Sequence, residues 1–302
     1  MTLSKDTTVR NRQIGVALML FGSVLFSCKA IVIKLAYQYE VSSISLLGLR
    51  MAFALPFFLL IGFFRRERSS THGPLSGKDF FVIVTIGILG YYLASYTDFL
   101  GLQYLSAGME RLILFAYPTI VLILQRLIFK TPIKAVQWLA TAVCYLGIGL
   151  AFSGSDFSIG NKFTLGAALV FSSAMTYSFF VVGSGHFARK LGSVRFTSLA
   201  LIAASIAVLA HVFISGNTLF GFPPGLYAYG LTLAIFCTVI PTYLVTEGIR
   251  RIGAGDAAIL GATGPVATII LEYLILNEHL NLVQGLGAAL VIVGVVIIGR
   301  SK

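Results

Sequence analysis

The chain is short of almost everything a water-facing protein needs. Only 11% of its 302 residues are charged, against about 25% in ordinary soluble domains. Acidic residues are the scarcer sign, 11 Asp and Glu against 22 Lys and Arg, for a formal net charge of +11. The longest polar stretch runs only from Arg65 to Asp79, which leaves no room for a separate soluble domain, a long linker or a low-complexity tract. There are three cysteines, Cys28, Cys144 and Cys237, all inside apolar runs. An odd number with none in a loop excludes a disulfide framework, and they read as small packing residues. Four scattered histidines, His72, His186, His211 and His279, show no metal-ligand spacing. Nothing in the sequence asks for a metal or cofactor.

What fills the chain instead is apolar. Hydrophobic residues make up 57% and mean hydropathy is +0.92. A helix crosses a bilayer with about 20 mostly apolar residues. Ten segments approach that length, roughly 14–35, 42–64, 80–101, 107–129, 134–152, 163–184, 196–215, 228–248, 256–276 and 281–299. A soluble bundle of ten such helices would have no polar faces to turn to water. The expectation is an all-α integral membrane protein of ten transmembrane helices, with the lipid bilayer as its main partner. Lys5, Arg10 and Arg12 precede the first run as in a signal peptide, but the run is too long for one and no small-residue cleavage site follows it cleanly. It reads as the first transmembrane helix.

Basic residues set the orientation. With the N-terminus in the cytoplasm, 17 of the 22 Lys and Arg fall on that side, in the N-terminal stretch, in every second loop, and in Arg300 and Lys302. Both termini are expected in the cytoplasm, and the positive charge reads as a topology signal that requires no nucleic acid.

Residues 96–150 fall on 243–297 without a gap when shifted by 147 positions. Tyr96 meets Tyr243, Gly101 meets Gly248, Ala107-Gly108 meets Ala254-Gly255, Pro118 meets Pro265, and Gly147 meets Gly294. The charges do not follow: Gln103-Tyr104 meet Arg250-Arg251, and Lys130 and Lys134 meet Asn277 and Asn281. Five helices per half is odd, so the second copy must enter the membrane inverted, an arrangement known from secondary transporters. The expected halves are 1–152 and 153–302, two inverted five-helix repeats around a central cavity.

Ala107-Gly108 leading to Pro118, and Ala254-Gly255 leading to Pro265, resemble the paired repeat of the drug/metabolite transporter superfamily, specifically its EamA-type ten-helix exporters. Leu276-Asn277-Glu278-His279-Leu280 resembles the Gly-Glu-Arg-Leu stretch of that family, with Asn277 and His279 as departures. The first copy departs further, having Lys130-Thr131-Pro132 and no glutamate there. Arg50 also resembles an arginine common in the family. Within it, the aromatic-rich helices look most like the bacterial exporters of aromatic amino acids. The resemblance implies a central cavity lined by helices 1, 3, 4, 6, 8 and 9, with helices 5 and 10 at the periphery.

Several helix faces suit such a cavity. Tyr92, Ser95, Tyr96 and Phe99 recur at i, i+3, i+4 and i+7. Ser173, Tyr177, Phe180 and Ser184 stand at similar helical spacing in the sixth segment, and the eighth adds Thr238, Thr242 and Tyr243. Hydroxyls at membrane depth need partners or water, and aromatic rings accept planar substrates by stacking. The substrate-facing set expected is Ser27, Tyr92, Ser95, Tyr96, Phe115, Tyr177, Phe180, Thr242 and Tyr243, although a packed core is an equal reading for any single tyrosine. Pro118, and Pro265 behind Gly264, break matching helices and free the carbonyls of Leu114 and Gly261 as hinges or as part of a binding site. Charges at membrane depth, Lys29, Arg50 and Glu272, cost about 2.5–3.5 kcal/mol each. They read either as receptors for the carboxylate (Lys29 or Arg50) and ammonium (Glu272) of an amino acid, or as charges that neutralise one another. Asp98, Glu110 and Arg111 lie nearer the outer interface.

Gly253-Ala254-Gly255-Asp256 matches the signature of intramembrane aspartyl proteases, with Asp98 as its conceivable partner. That chemistry needs two carboxylates sharing a proton, and the topology keeps these two far apart. Asp256 reads instead as an acidic residue at a helix N-terminus. No enzyme is expected. The expected function is inner-membrane export of amino acids, aromatic ones preferred, by alternating access, with a small molecule as the other partner. A multidrug exporter, a sugar-phosphate carrier or a non-transporting scaffold are the alternatives. The sequence fixes no oligomeric state, and a monomer is compatible with it.

Overall fold

In the computed structural model the described residues are 2–64, 75–152, 162–276 and 282–300, with side chains described except at 2–8, 151–152, 269 and 272–276. Every regular element among them is helical: α1 (Thr2–Ala36), α2 (Ser43–Phe64), α3 (Gly77–Gly87), α4 (Ala94–Gly101), α5 (Ala107–Leu114), α6 (Tyr117–Phe129), α7 (Ala135–Phe152), α8 (Phe163–Leu191), α9 (Ser193–Ile214), α10 (Pro224–Ala234), α11 (Ile240–Ile252), α12 (Ala254–Leu260), α13 (Thr263–Leu276) and α14 (Leu282–Arg300). A π-helical turn, Ile88–Leu93, joins α3 to α4, and a second, Ile235–Val239, joins α10 to α11. Each pair makes one continuous rod, so that Gly77–Gly101 and Pro224–Ile252 span as units.

Eight helical spans among the described residues are long and apolar enough to cross a membrane. The fifth and ninth expected segments differ in form. The apolar part of α7, Ala135–Leu150, is shorter than the rest, and segment 256–276 is divided between α12 and α13.

Interhelix packing follows a reciprocal scheme. α1 lies along α11, and α4 lies along α8; α2 lies along α9; α6 meets α12 and α5 meets α13; α7 lies along α14. The last pair is close because glycines face backbone. A Cβ on Gly147 would come within 2.7 Å of the Gly287 carbonyl, and one on Gly294 within 2.5 Å of Cys144 Sγ. Small residues at such crossings let helices gain van der Waals contact where lipid gives no hydrophobic drive.

The two ends of the bundle are pinned by different residues. At one end Arg12 reaches Asp256 and the Ile298 carbonyl, Gln137 reaches Asp256, and Arg251 reaches Asn11. At the other, Tyr37 donates to the Phe99 carbonyl, Gln103 donates to Ser43, and Ser42 donates to Asn217. Asn11 and Tyr37 are 26 residues apart on one helix rod, about 39 Å at 1.5 Å per residue. Of the described residues, Asn11, Arg12, Gln137, Arg251, Asp256 and Ile298, all expected near the cytoplasmic side, thus gather at one end, and Tyr37, Ser42, Ser43, Phe99, Gln103 and Asn217, expected near the outer side, at the other.

Candidate functional site

A cavity lies between the helices in the middle of the bundle, offering about 100 Å³ to the centres of water-sized molecules. A single water needs about 10–15 Å³ by that measure, so the space holds several waters or a small organic group. α1, α2, α4 with its π turn, α5, α6, α8, α11 and the α12–α13 junction all contribute to its wall. α7 and α14 do not.

Helix irregularities shape this wall. The fourth segment breaks between α5 and α6 at Phe115-Ala116, and the ninth between α12 and α13 at Gly261-Ala262. The two breaks carry the same turns: Ala116 donates to the Ile113 carbonyl and Ala262 to the Ile259 carbonyl, both 3.0 Å. Pro118 and Pro265 follow in the first turn of the resumed helix, where a missing N–H costs nothing. The sequence placed them mid-helix as breaks or hinges; the segments do break there, and each proline lies just past the break, in the first turn of the resumed helix. The carbonyl of Gly261, expected free, accepts from the Gly264 amide at 2.9 Å. Tyr117 bridges the two breaks by donating to the Ala258 carbonyl at 3.0 Å. It fits because residue 261 is glycine: a Cβ there would lie 1.7 Å from the Tyr117 hydroxyl.

The π turns sit at repeat-related positions, Ile88 on Ile235 under the 147-residue shift. Such turns are rare and cluster at functional sites. Tyr91 in the first and its mate Thr238 in the second both reach the centre. Tyr91 shares a 3.0 Å hydrogen bond with Thr242, and Thr238 accepts from Arg50 Nε at 2.5 Å. Arg50 Nη1 donates to Ser95, the repeat mate of Thr242, at 3.3 Å. Arg50 is 1% exposed, lines the cavity, and stands 5.6 Å from the Phe99 ring centroid. No carboxylate among the described residues forms an ion pair with it.

Lys29 and Arg111 also line the cavity, but each has an acidic neighbour. Lys29 Nζ is 2.6 Å from Asp98 and 3.7 Å from Glu110; Arg111 Nε is 3.2 Å from Glu110, and its Nη2 donates to the Phe26 carbonyl. Asp98 and Glu110 are fully buried behind them. Lys29 is thus paired with acidic neighbours, as in the reading of mutual neutralisation, whereas Arg50 has only hydroxyl partners among the described residues. Glu272 lies on α13 with its side chain outside the described residues.

Of the expected set, Ser95, Phe115, Tyr177, Gly264 and Pro265 face the cavity together with Lys29 and Arg50. Ser27 does not; its hydroxyl donates to the carbonyls of Ser23 and Gly264, tying α1 to the α13 start. Phe180 packs one layer behind, against Tyr91 at 4.8 Å and under Gly90. Thr242 is buried under Tyr91, Tyr243 turns away to Ser198, and Pro118 is buried beside Tyr117. Tyr92 and Tyr96 lie outside the cavity, both against His211 of α9, to which the Tyr92 hydroxyl bonds at 3.1 Å. Tyr91, Tyr117 and Arg111 take the places that those residues were expected to fill. Asp98 and Asp256 belong to separate clusters, Asp256 with Arg12 and Gln137, and share no proton.

A multi-pass helical bundle enclosing a charged and aromatic cavity is the architecture of a membrane transporter. The sequence matches the EamA-like transporter family over residues 13–153 and again over 164–300, and the chain belongs to that family. It is 30% identical over 292 residues to the Bacillus subtilis protein described as the uncharacterized transporter YcbK, across 95% of this chain and 93% of the relative. A Synechocystis protein, also described as an uncharacterized transporter, is 22% identical over 309 residues, across 95% and 94%. One solved crystal structure superimposes with a TM-score of 0.72 over 94% of this chain and 95% of its own, at 16% identity, a likeness of fold alone. These relatives are described as transporters, not as enzymes. The chain is therefore a membrane transporter that sits in a lipid bilayer and carries small molecules.

Proposed function

We propose that the protein moves amino acids, aromatic ones preferred, across the bacterial inner membrane by alternating access. In this reading it has ten spans in two inverted halves, 1–152 and 153–302, with both termini in the cytoplasm. The observation that carries the substrate assignment is Arg50, a buried cation at the cavity wall with hydroxyl partners and, among the described residues, no ion-paired carboxylate. Burying a charge without a counter-ion costs several kcal/mol. A substrate carboxylate can supply that counter-ion, and the guanidinium fork suits it bidentately. Phe115, Tyr91, Tyr117 and Tyr177 offer ring faces and edges to a planar side chain. Hydroxyl lone pairs of Ser23, Ser173 and Tyr177 on the same wall meet the ammonium group.

A cationic drug is the poorer fit, because the wall carries three cations, Lys29, Arg50 and Arg111, and no carboxylate among the described residues. A doubly charged phosphate ester is poorer too, since two of those cations are already offset by Asp98 and Glu110. Two matches to one family, the reciprocal packing of α1 on α11 and α4 on α8, and the gathering at one end of residues expected near the cytoplasmic side support the inverted halves. Counterflow of labelled phenylalanine into proteoliposomes preloaded with unlabelled phenylalanine tests the substrate. Accumulation above empty liposomes is expected; no flux of any amino acid would sink the reading.

A further inference from the structure

Behind the cavity wall, the cluster of Lys29, Asp98, Glu110 and Arg111 has more acceptors than donors can serve. Both carboxylate oxygens of Glu110, and Oδ1 of Asp98, are buried without a hydrogen-bond donor. Arg111 Nε stands 3.2 Å from Glu110 but is misaligned, and itself has no acceptor. The two carboxyl groups share one cation, Lys29 Nζ, at 2.6 Å from Asp98 and 3.7 Å from Glu110. Two buried carboxylates drawn to one cation repel, and a proton bound by one of them relieves the repulsion. The charged groups facing the pair are Lys29 from α1, Arg111 from α5 and, toward Asp98, Arg50 from α2. α8 brings Tyr177 and α7 brings Tyr145 to the neighbourhood of α5, and Glu272 of α13 lies outside the described side chains.

We propose that Asp98 and Glu110 form a proton-binding site, with Glu110 carrying the exchangeable proton. Water reaches the pair past Lys29 and Arg111, which border both the pair and the cavity. With both acids ionised the four groups sum to zero; the proton makes them +1, beside the positive Arg50. The bound proton and a substrate carboxylate therefore favour one another's binding, reciprocally. This coupling rests on the amino-acid reading above; the proton site itself does not.

Infrared difference spectroscopy of the purified protein, titrated from about pH 5 to about pH 9, reads the site without any substrate. The expected result is a buried carboxylic-acid carbonyl band that titrates in this range and is absent from E110Q. In D98N, which keeps Glu110 but removes the like charge, the midpoint falls. A wild type with no titrating band, or a band unchanged in both folded variants, overturns the site. Calorimetry of phenylalanine binding in two buffers of different ionisation enthalpy then reads the coupling. At the midpoint pH the wild type takes up a fraction of a proton per ligand, and E110Q takes up none. Binding with no proton uptake by the wild type overturns the coupling. No phenylalanine binding overturns the substrate reading, and the infrared titration alone then decides the proton site.

Discussion

Arg50 spends two donors on hydroxyls and shows its remaining charge to an aromatic ring and the cavity. Thr238 and Ser95 belong to different halves of the chain, so one side chain joins both halves at the place where a ligand would sit. Lysine cannot reproduce this, because a point charge cannot fork between two hydroxyls and a carboxylate. A hydrogen bond to a charged group contributes about 1.5–3 kcal/mol. The variant R50Q is therefore expected to weaken phenylalanine binding by about ten- to a hundredfold, and R50K by about tenfold or more. Saturation binding to detergent-solubilised protein checks both, with circular dichroism to confirm that the helices persist. Unchanged affinity in R50Q would remove Arg50 from the site.

At the scale of elements, the site is made by places where helices stop being regular. The α5–α6 and α12–α13 breaks and the two π turns occur at matching points of the repeat; the breaks and the first π turn deliver wall residues, and the second brings Thr238 to Arg50. Gly261→Ala is expected to destabilise the protein by about 1–3 kcal/mol through overpacking against Tyr117. Y117F, which removes the clashing hydroxyl, is expected to restore part of that loss. Thermal unfolding of the two single variants and the double variant reads the coupling, and strict additivity would contradict the contact. The same irregularities mark where the sequence stopped being legible. Alternation of apolar runs and basic loops gave the spans; Arg50, Lys29, Phe115 and Pro265 were visible as charge, ring and proline at membrane depth. Regular helical spacing grouped Tyr92 and Tyr96 with Ser95, but the cavity faces the Gly90, Tyr91, Ala94 and Ser95 side of the rod. A π turn leaves no signature in hydropathy, so Tyr91 was missed and Tyr92 overvalued. Arg111 was read as a residue that could reach the interface, because nothing in one sequence showed that Glu110 and the Phe26 carbonyl hold it inward.

At the scale of the whole molecule, the pairing scheme exchanges with itself when the halves are swapped: α1 on α11 becomes α8 on α4, and α2 on α9 maps to itself. If the halves are inverted, the repeat mates Gln103 and Arg250 face opposite compartments. Single cysteines placed at these positions in a cysteine-free background should react with a membrane-impermeant maleimide from opposite sides in intact cells and inverted vesicles; labelling from the same side would contradict inversion. The Arg12–Asp256 pair, with Gln137 and the Ile298 carbonyl, ties α1, α7, α12 and α14 together at the end where α1 begins and α14 ends. If transport is by alternating access, opening at that end has to separate these helices, and D256N should then raise labelling of a cavity cysteine from that end several-fold. The most direct measurement is a competition series in phenylalanine counterflow: phenylalanine, phenylpropionate and phenethylamine share the ring, and the last lacks only the carboxylate. Phenylpropionate is expected to compete and phenethylamine to fail, with the distinction lost in R50Q. Phenethylamine competing as well as phenylalanine in the wild type would show that Arg50 does not receive the substrate.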